Sequence, residues 1–295
     1  MSDLVIETTA LRKEYRHRGR VAAVRDLDLA VARGTVHGLL GPNGAGKTTT
    51  LRLLTGLARP SSGRIRLLGE ELPDGLPRAL TRVGAVVDRP RFSTSTTGLR
   101  SLRLLARGIG ASPARVGRVV AQVGLAGREH DTYRTYSPAV RQRMAIAAAL
   151  LKSPEVLLLD EPTTGLDPAG SRGIRDLVRD LGRSGITVLL SSHLLAEVQQ
   201  VCDQVTVLED GRRVSTGAVD ELVGRDTGGG VRVAVADAPT ALRHLRAAGM
   251  KVTLTGDSLY VEDIDDPARI TEVLAAQQMF VRELSPDLSA GEVTP

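Results

Sequence analysis

From its first residue to about residue 223, the chain alternates short apolar runs with stretches whose apolar positions recur at helical spacing. That alternation predicts a parallel sheet with helices on its faces, an α/β fold. Residues 36–40 read as a buried strand and 47–57 as the helix that follows it. Residues 156–159 are wholly apolar and predict a second strand; residues 186–190 predict a third. Residues 205–209 and 212–216 flank Asp210-Gly211, a pair that tolerates positive φ at both positions and so predicts a hairpin. A mostly helical insert, about 90–152, interrupts the sheet, with helices over 97–107, 113–123 and 140–151. Pro113 behind Ser112 suits a first helical position, where its missing N–H leaves no bond unmade.

Residues 224–230, GRDTGGG, have the composition of a linker. Beyond them the pattern changes. A strand (231–236), a helix (240–248), a hairpin (251–255 and 259–262), a helix (267–276) and a strand (280–284) follow in turn. That order, β-α-β-β-α-β, is ferredoxin-like. The expected organisation is a first domain over 1–223, a linker, a small α+β domain over 231–284, and a disordered tail over 285–295.

Composition narrows the function classes. The formal net charge is +5, almost all of it from arginine, yet the basic residues are interspersed with acids, as in Arg25-Asp26 and Arg175-Asp176. Trp is absent and Tyr and Phe number four and two, so the stacking aromatics of a nucleic-acid binder are missing and none is expected as partner. The lone Cys202 excludes an internal disulfide, and its apolar setting suits a small buried hydrophobe. The opening MSDLVIETTALRKEY lacks the layout of a secretory leader, and no stretch approaches the roughly 18 apolar residues that cross a bilayer. A cytoplasmic chain is expected, with any transport requiring a separate membrane protein.

Gly41-Pro42-Asn43-Gly44-Ala45-Gly46-Lys47-Thr48 fits G-x-x-x-x-G-K-[ST], directly after a predicted strand and before a helix. The glycines let successive N–H groups curl around a phosphate, and the helix N-terminus aims its partial positive charge at the same point. Lys47 is expected to reach the β- and γ-phosphates and Thr48 to ligate Mg²⁺, with Thr49 completing the nucleotide-binding set. A second element, Val156-Leu157-Leu158-Leu159-Asp160-Glu161, ends an apolar strand on two carboxylates at the edge where such sheets bind ligands. Asp160 is expected to hold Mg²⁺ through water, and Glu161 to polarise the attacking water as a general base.

With these motifs in order, residues 4–223 resemble the ATPase subunits of ABC transporters. Within that family they resemble the antibiotic and multidrug (bacitracin-resistance-like, ABC-2) export type, which pairs with separate membrane proteins. The resemblance implies a P-loop NTPase fold, ATP and Mg²⁺ as ligands, and ATP hydrolysis coupled to export of a drug-like or lipid-like cargo. It also implies a dimer, with a second copy or a paralogous ATPase, beneath an integral-membrane permease on the inner face of the cell membrane. Thr163-Thr164-Gly165-Leu166-Asp167 matches the D-loop, so Asp167 is assigned to communication between subunits. Ser191-Ser192-His193 matches the switch histidine, which implies that His193 contacts the γ-phosphate and orients Glu161 and the water. Tyr15 matches the aromatic that stacks on adenine.

Two departures from the family pattern stand out. The signature, usually L-S-G-G-Q, falls at Tyr136-Ser137-Pro138-Ala139-Val140. In relatives it lies at a helix N-terminus and closes over ATP held by the opposite subunit. Ser137 keeps the hydroxyl and Ala139 its N–H, while Pro138 removes one N–H, and slow hydrolysis is expected. After residues 83–87, Asp88 stands where most relatives have glutamine, and it is expected to keep the metal-sensing role as a Mg²⁺ ligand. A soluble ABC-type ATPase driving a protein or nucleic-acid machine is the alternative. One such class carries two phosphate loops and another a long coiled coil; this chain shows one loop and no coiled coil. A simple P-loop kinase leaves Ser137, Asp167 and His193 without a role.

Overall fold

Two long strands open the chain, β1 (Leu4–Arg16) and β2 (Arg20–Ala32), paired antiparallel with Tyr15 opposite Val21. The structure, a computed structural model, describes residues 3–16, 20–87, 92–225, 231–255, 258–262, 264 and 267–286. By its contacts the chain divides into two units, Met1–Thr216 and Gly217–Pro295.

In the first unit, β3 (Val36–Leu40) leads into α1 (Lys47–Leu54), and β4 (Ser62–Leu67), β5 (Glu70–Leu72), α2 (Leu76–Thr81) and β6 (Val83–Val86) follow. The helical insert holds α3 (Gly98–Gly108), α4 (Pro113–Gln122) and α5 (Pro138–Leu150). The chain then returns to the sheet through β7 (Val156–Leu159), α6 (Pro168–Arg183), β8 (Thr187–Ser192), α7 (Leu195–Val201), β9 (Gln204–Glu209) and β10 (Arg212–Ala218).

These strands make two sheets. One has the order β10-β9-β3-β8-β7-β6; β9, β3, β8, β7 and β6 run parallel, and of these β3, β7 and β8 are the strands the apolar runs predict. The other, β2-β1-β4-β5, is antiparallel and corrects the expectation of a parallel sheet from the first residue. Its pattern is hard to read because bulges interrupt it: the β1–β2 register shifts between Thr8 and Leu11, Ala10 and Asp26 have positive φ, and each extra residue flips the alternation of faces. Ile6, Leu27 and Leu67 of this sheet pack in one core with Leu39, Leu51, Leu158 and Leu189 of the parallel sheet and α1.

Several boundaries differ from the sequence expectation. Helix α1 stops at Leu54, where Thr55 caps it and Gly56 takes φ 73. Strand β8 runs on to Ser192, and α5 begins at Pro138 with Ser137 as N-cap. Thr97 and Ser112 cap α3 and α4 through their side chains, so α4 begins at Pro113 as expected and α3 one residue later than expected, at Gly98. Asp210 and Gly211, at φ 46 and 80, form the hairpin turn.

In the second unit, after the end of β10, comes α8 (Val219–Arg225), which takes in the first two residues of the expected linker; residues 226–230 lie outside the described residues. Then follow β11 (Val231–Val235), α9 (Ala238–Ala247), β12 (Lys251–Thr255), β13 (Ser258–Glu262), α10 (Ala268–Ala276) and β14 (Val281–Pro286). The sheet order is β12-β13-β11-β14, all antiparallel, over a core of Val233, Leu245, Leu259, Val261, Ile270 and Leu274. Strand β14 includes residues 285 and 286 of the expected tail, and 287–295 lie outside the described residues.

Candidate functional site

Parallel pairing aligns the ends of three strands. Leu40 pairs with Ser192, and Leu159 with Leu190, so the residues that follow β3, β7 and β8 emerge at one edge of the sheet. Gly41 continues the ladder by donating its N–H to Ser192 O at 3.3 Å. A Cβ on Gly41 would sit 2.2 Å from Leu208 O, so only glycine fits there. Gly46 combines φ 98 with a Cβ position 2.5 Å from Ala23 O, which excludes other residues on both counts. Between them Pro42, Asn43, Gly44 and Ala45 make the turn, closed by Ala45 N donating to Pro42 O at 3.2 Å. No side chain caps α1, so its first N–H groups face the loop.

Lys47 is buried, with 5% of its side chain exposed. Its Nζ donates to Gly41 O at 2.6 Å and Pro42 O at 3.1 Å, and lies 3.3 Å from Glu161 Oε1. Thr48 Oγ1 lies 3.0 and 2.9 Å from Asp160 Oδ1 and Oδ2. Thr49 follows it, half-buried. Ser191 Oγ donates to Asp160 Oδ1 at 2.7 Å and accepts from Glu161 N at 2.8 Å.

Glu161 has φ 45, an unfavourable value for a residue with a Cβ, of the kind that clusters where function requires it. Its Oε2 lies 2.8 Å from His193 Nδ1 and accepts from Thr164 Oγ1 at 2.9 Å. Burial pushes its pKa up. The hydrogen bonds from His193 and Thr164 and the charge of Lys47 together outweigh that and hold the carboxyl below its usual range. The group is therefore a carboxylate at neutral pH.

One connected cluster thus contains Lys47, Thr48, Asp160, Glu161 and His193. The other expected residues stand apart from it. Asp167 caps α6, accepting from Gly170 N at 2.8 Å. Ser137 caps α5, accepting from Val140 N at 3.4 Å, and among the described residues it shares no hydrogen bond or ion pair with the cluster. Ala139 packs on the first turn of α6, where a Cβ on Gly170 would lie 2.8 Å from its own. Tyr15 lies on the antiparallel sheet, with Lys13 Nζ 4.9 Å from its ring centroid. Asp88 lies outside the described residues. Cys202 is buried, and burial pushes its thiol pKa up, as suits an inert side chain.

Two members of the cluster carried no expected role: Ser191 and Thr164. Ser191 is wholly buried at the end of an apolar strand, and a buried hydroxyl must find a partner; that was the available signal. Thr164 offered none beyond its place in the D-loop.

The donor set suits Mg²⁺. A hydroxyl and a carboxylate lie within 3.0 Å of each other beside the glycine loop, hard oxygens of the number this ion takes when substrate phosphates and water complete its shell. Among the described residues no group of three His, Cys, Asp or Glu side chains could cage a metal alone.

Comparison with known proteins agrees with this geometry. A family model described as ABC transporter matches residues 24–164, and one described as "AAA domain, putative AbiEii toxin, Type IV TA system" matches 141–198. The daunorubicin resistance ATP-binding protein DrrA3 of Streptomyces coeruleorubidus is 37% identical over 288 residues, 96% of this chain and 89% of that protein. Nod factor export ATP-binding protein I of Cupriavidus pinatubonensis is 36% identical over 278 residues, 92% of this chain and 84% of that protein. A solved ATP-binding cassette, MJ0796, in a dimeric post-hydrolysis state bound to ADP and Pi, superposes with a TM-score of 0.65 at 22% identity, covering 72% of this chain and 98% of that one.

Proposed function

Because the chain belongs to the ABC transporter ATP-binding family, we propose that it binds ATP in the Gly41–Thr48 loop and hydrolyses it with Glu161 to drive an exporter. The observation that carries this reading is the single cluster in which Lys47, Thr48, Asp160, Glu161 and His193 meet beside the glycine loop.

The loop N–H groups and Lys47 bind the β- and γ-phosphates, with Thr49 in the same first turn of α1. Thr48 and Asp160 hold Mg²⁺, which when bound screens the phosphate charge. Glu161 takes the proton of the attacking water, and His193 holds the far oxygen of that carboxylate so that the near one faces the water. Tyr15 stacks on adenine. Asp88, next but one after β6 in the sequence, senses the metal.

The site is completed by a second copy or a paralogous ATPase, and the dimeric state of MJ0796 supports this. Ser137 and the Ala139 N–H at the start of α5 close over ATP held by the partner, and Asp167 signals between the two. Ser137 stands apart from the cluster of its own chain, as a residue serving the partner's site does. No helix among the described residues is long and apolar enough to cross a membrane, so the transport path belongs to a separate permease. The chain acts on the cytoplasmic face through that partner. Residues 231–284 form a separate small domain, which its own core of Val233, Leu245, Leu259, Ile270 and Leu274 supports. The relatives named for daunorubicin resistance and Nod factor export support a drug-like or lipid-like cargo.

The test is ATP binding and turnover by the purified chain and by Lys47→Ala. Labelled ATP should bind the wild type and be lost from the variant. No binding by the wild type, or equal binding by both, would overturn the reading.

A further inference from the structure

Glu197 lies in the first turn of α7, and among the described residues its hydrogen bonds and ion pair go to Thr163, Ser192 and Arg175, none of them assigned to phosphate or water. An acid there favours the helix dipole, but its contacts exceed that role. Its side chain is only 17% exposed. Oε2 accepts two hydrogen bonds, from Thr163 Oγ1 at 2.7 Å and from Ser192 Oγ at 3.0 Å. Oε1 faces Arg175 Nη1 of α6 at 3.8 Å.

The two hydroxyls belong to the two segments that carry the chemistry. Thr163 is two residues beyond Glu161, in a turn closed by Thr164 N donating to Glu161 O at 3.2 Å. Ser192 directly precedes His193, and its Oγ accepts from Leu194 N at 3.0 Å, so the residues on both sides of the histidine are held. Both hydroxyls are buried, and a buried hydroxyl bound to a carboxylate makes a stronger contact than a neutral pair. One carboxylate therefore ties the end of β7 to the end of β8, just behind the 2.8 Å contact between Glu161 and His193.

We infer that Glu197 is a positioning residue for hydrolysis: through Thr163 and Ser192 it fixes the spacing of the segments that present Glu161 and His193. The inference rests on the ATPase reading above. Losing the tie lets the two segments drift by fractions of an ångström. That lowers the rate of the chemical step and leaves the phosphate loop untouched.

The experiment compares wild type with Glu197→Ala, Glu197→Gln and the pair Thr163→Val with Ser192→Ala, in steady-state ATP hydrolysis. Glu197→Ala should lower kcat by roughly 10- to 100-fold with KM for ATP changed by less than about threefold. Glu197→Gln keeps an acceptor oxygen for both hydroxyls and should recover most of the rate. The hydroxyl pair should reproduce the Ala phenotype, and it decides the matter if Glu197→Ala does not fold. In a His193→Ala background, Glu197→Ala should cost little more, since the two act through one contact. An unchanged kcat in Glu197→Ala, or a loss shared equally by KM without rescue by Gln, would overturn the inference. If the wild type itself neither binds nor hydrolyses ATP, the functional reading fails instead, so the two failures are distinguishable.

Discussion

His193 Nδ1 lies 2.8 Å from Glu161 Oε2, although 32 residues separate them in the chain. Parallel pairing of β7 with β8 brings the two strand ends together, and the positive φ of Glu161 turns its backbone at the strand end. With Thr164 and Lys47 as further partners, the carboxylate stays ionised despite partial burial. A base that must accept a proton from water is then in the right form at neutral pH.

Glu161→Gln removes that basicity while keeping the size of the side chain. The variant should bind ATP, lose at least about 100-fold in hydrolysis, and accumulate as a dimer with ATP and Mg²⁺. Light scattering after gel filtration measures the state. A persistent monomer at saturating ligand would contradict a site shared between two copies.

The start of α5 yields a second expectation. Pro138 occupies the first helical position and lacks the N–H that glycine would supply toward a phosphate. Restoring it in Pro138→Gly with Ala139→Gly should raise turnover, on the order of tenfold for one recovered donor. Ala139 also packs on the first turn of α6 at Gly170, so the same variant should melt at a lower temperature. Turnover equal to wild type would show that the missing N–H does not limit the rate.

Away from the site, Glu155 accepts hydrogen bonds from Arg82 and Arg33, which outweigh burial and lower its pKa to about 2. A carboxyl whose folded pKa lies below its unfolded one stabilises the fold above the unfolded value, and that contribution is lost as pH falls toward about 2. Glu155→Gln should therefore be less stable than wild type at neutral pH and equal to it near the lower value. Because the partners are more than a third exposed, screening limits the difference to about 1 kcal/mol. Urea midpoints at both pH values decide it; a gap that persists in acid would contradict the ion-pair origin.

The sequence was most legible where one short segment carries its own physics. Gly41 to Thr48 declare a phosphate loop because glycine spacing, a lysine and a helix start all fall within eight consecutive residues. The apolar run before Asp160 declares a buried strand for the same reason. Thr97 and Ser112 mark helix starts because a cap is a local hydrogen bond. The antiparallel sheet of β1, β2, β4 and β5 was missed because bulges near Ala10 and Asp26 break the two-residue period on which such a reading depends.

By itself, then, the sequence determined the phosphate loop, the strands β3, β7 and β8 and the identity of the acids, since each depends on neighbours along the chain. Only the tertiary structure decided which side chains hold those acids. Ser191 on Asp160, Thr164 and His193 on Glu161, and Glu197 behind both are fixed by strand register and turn geometry. A hydrogen bond needs placement to within about 0.5 Å, and across some thirty residues only the packed core sets distances that finely.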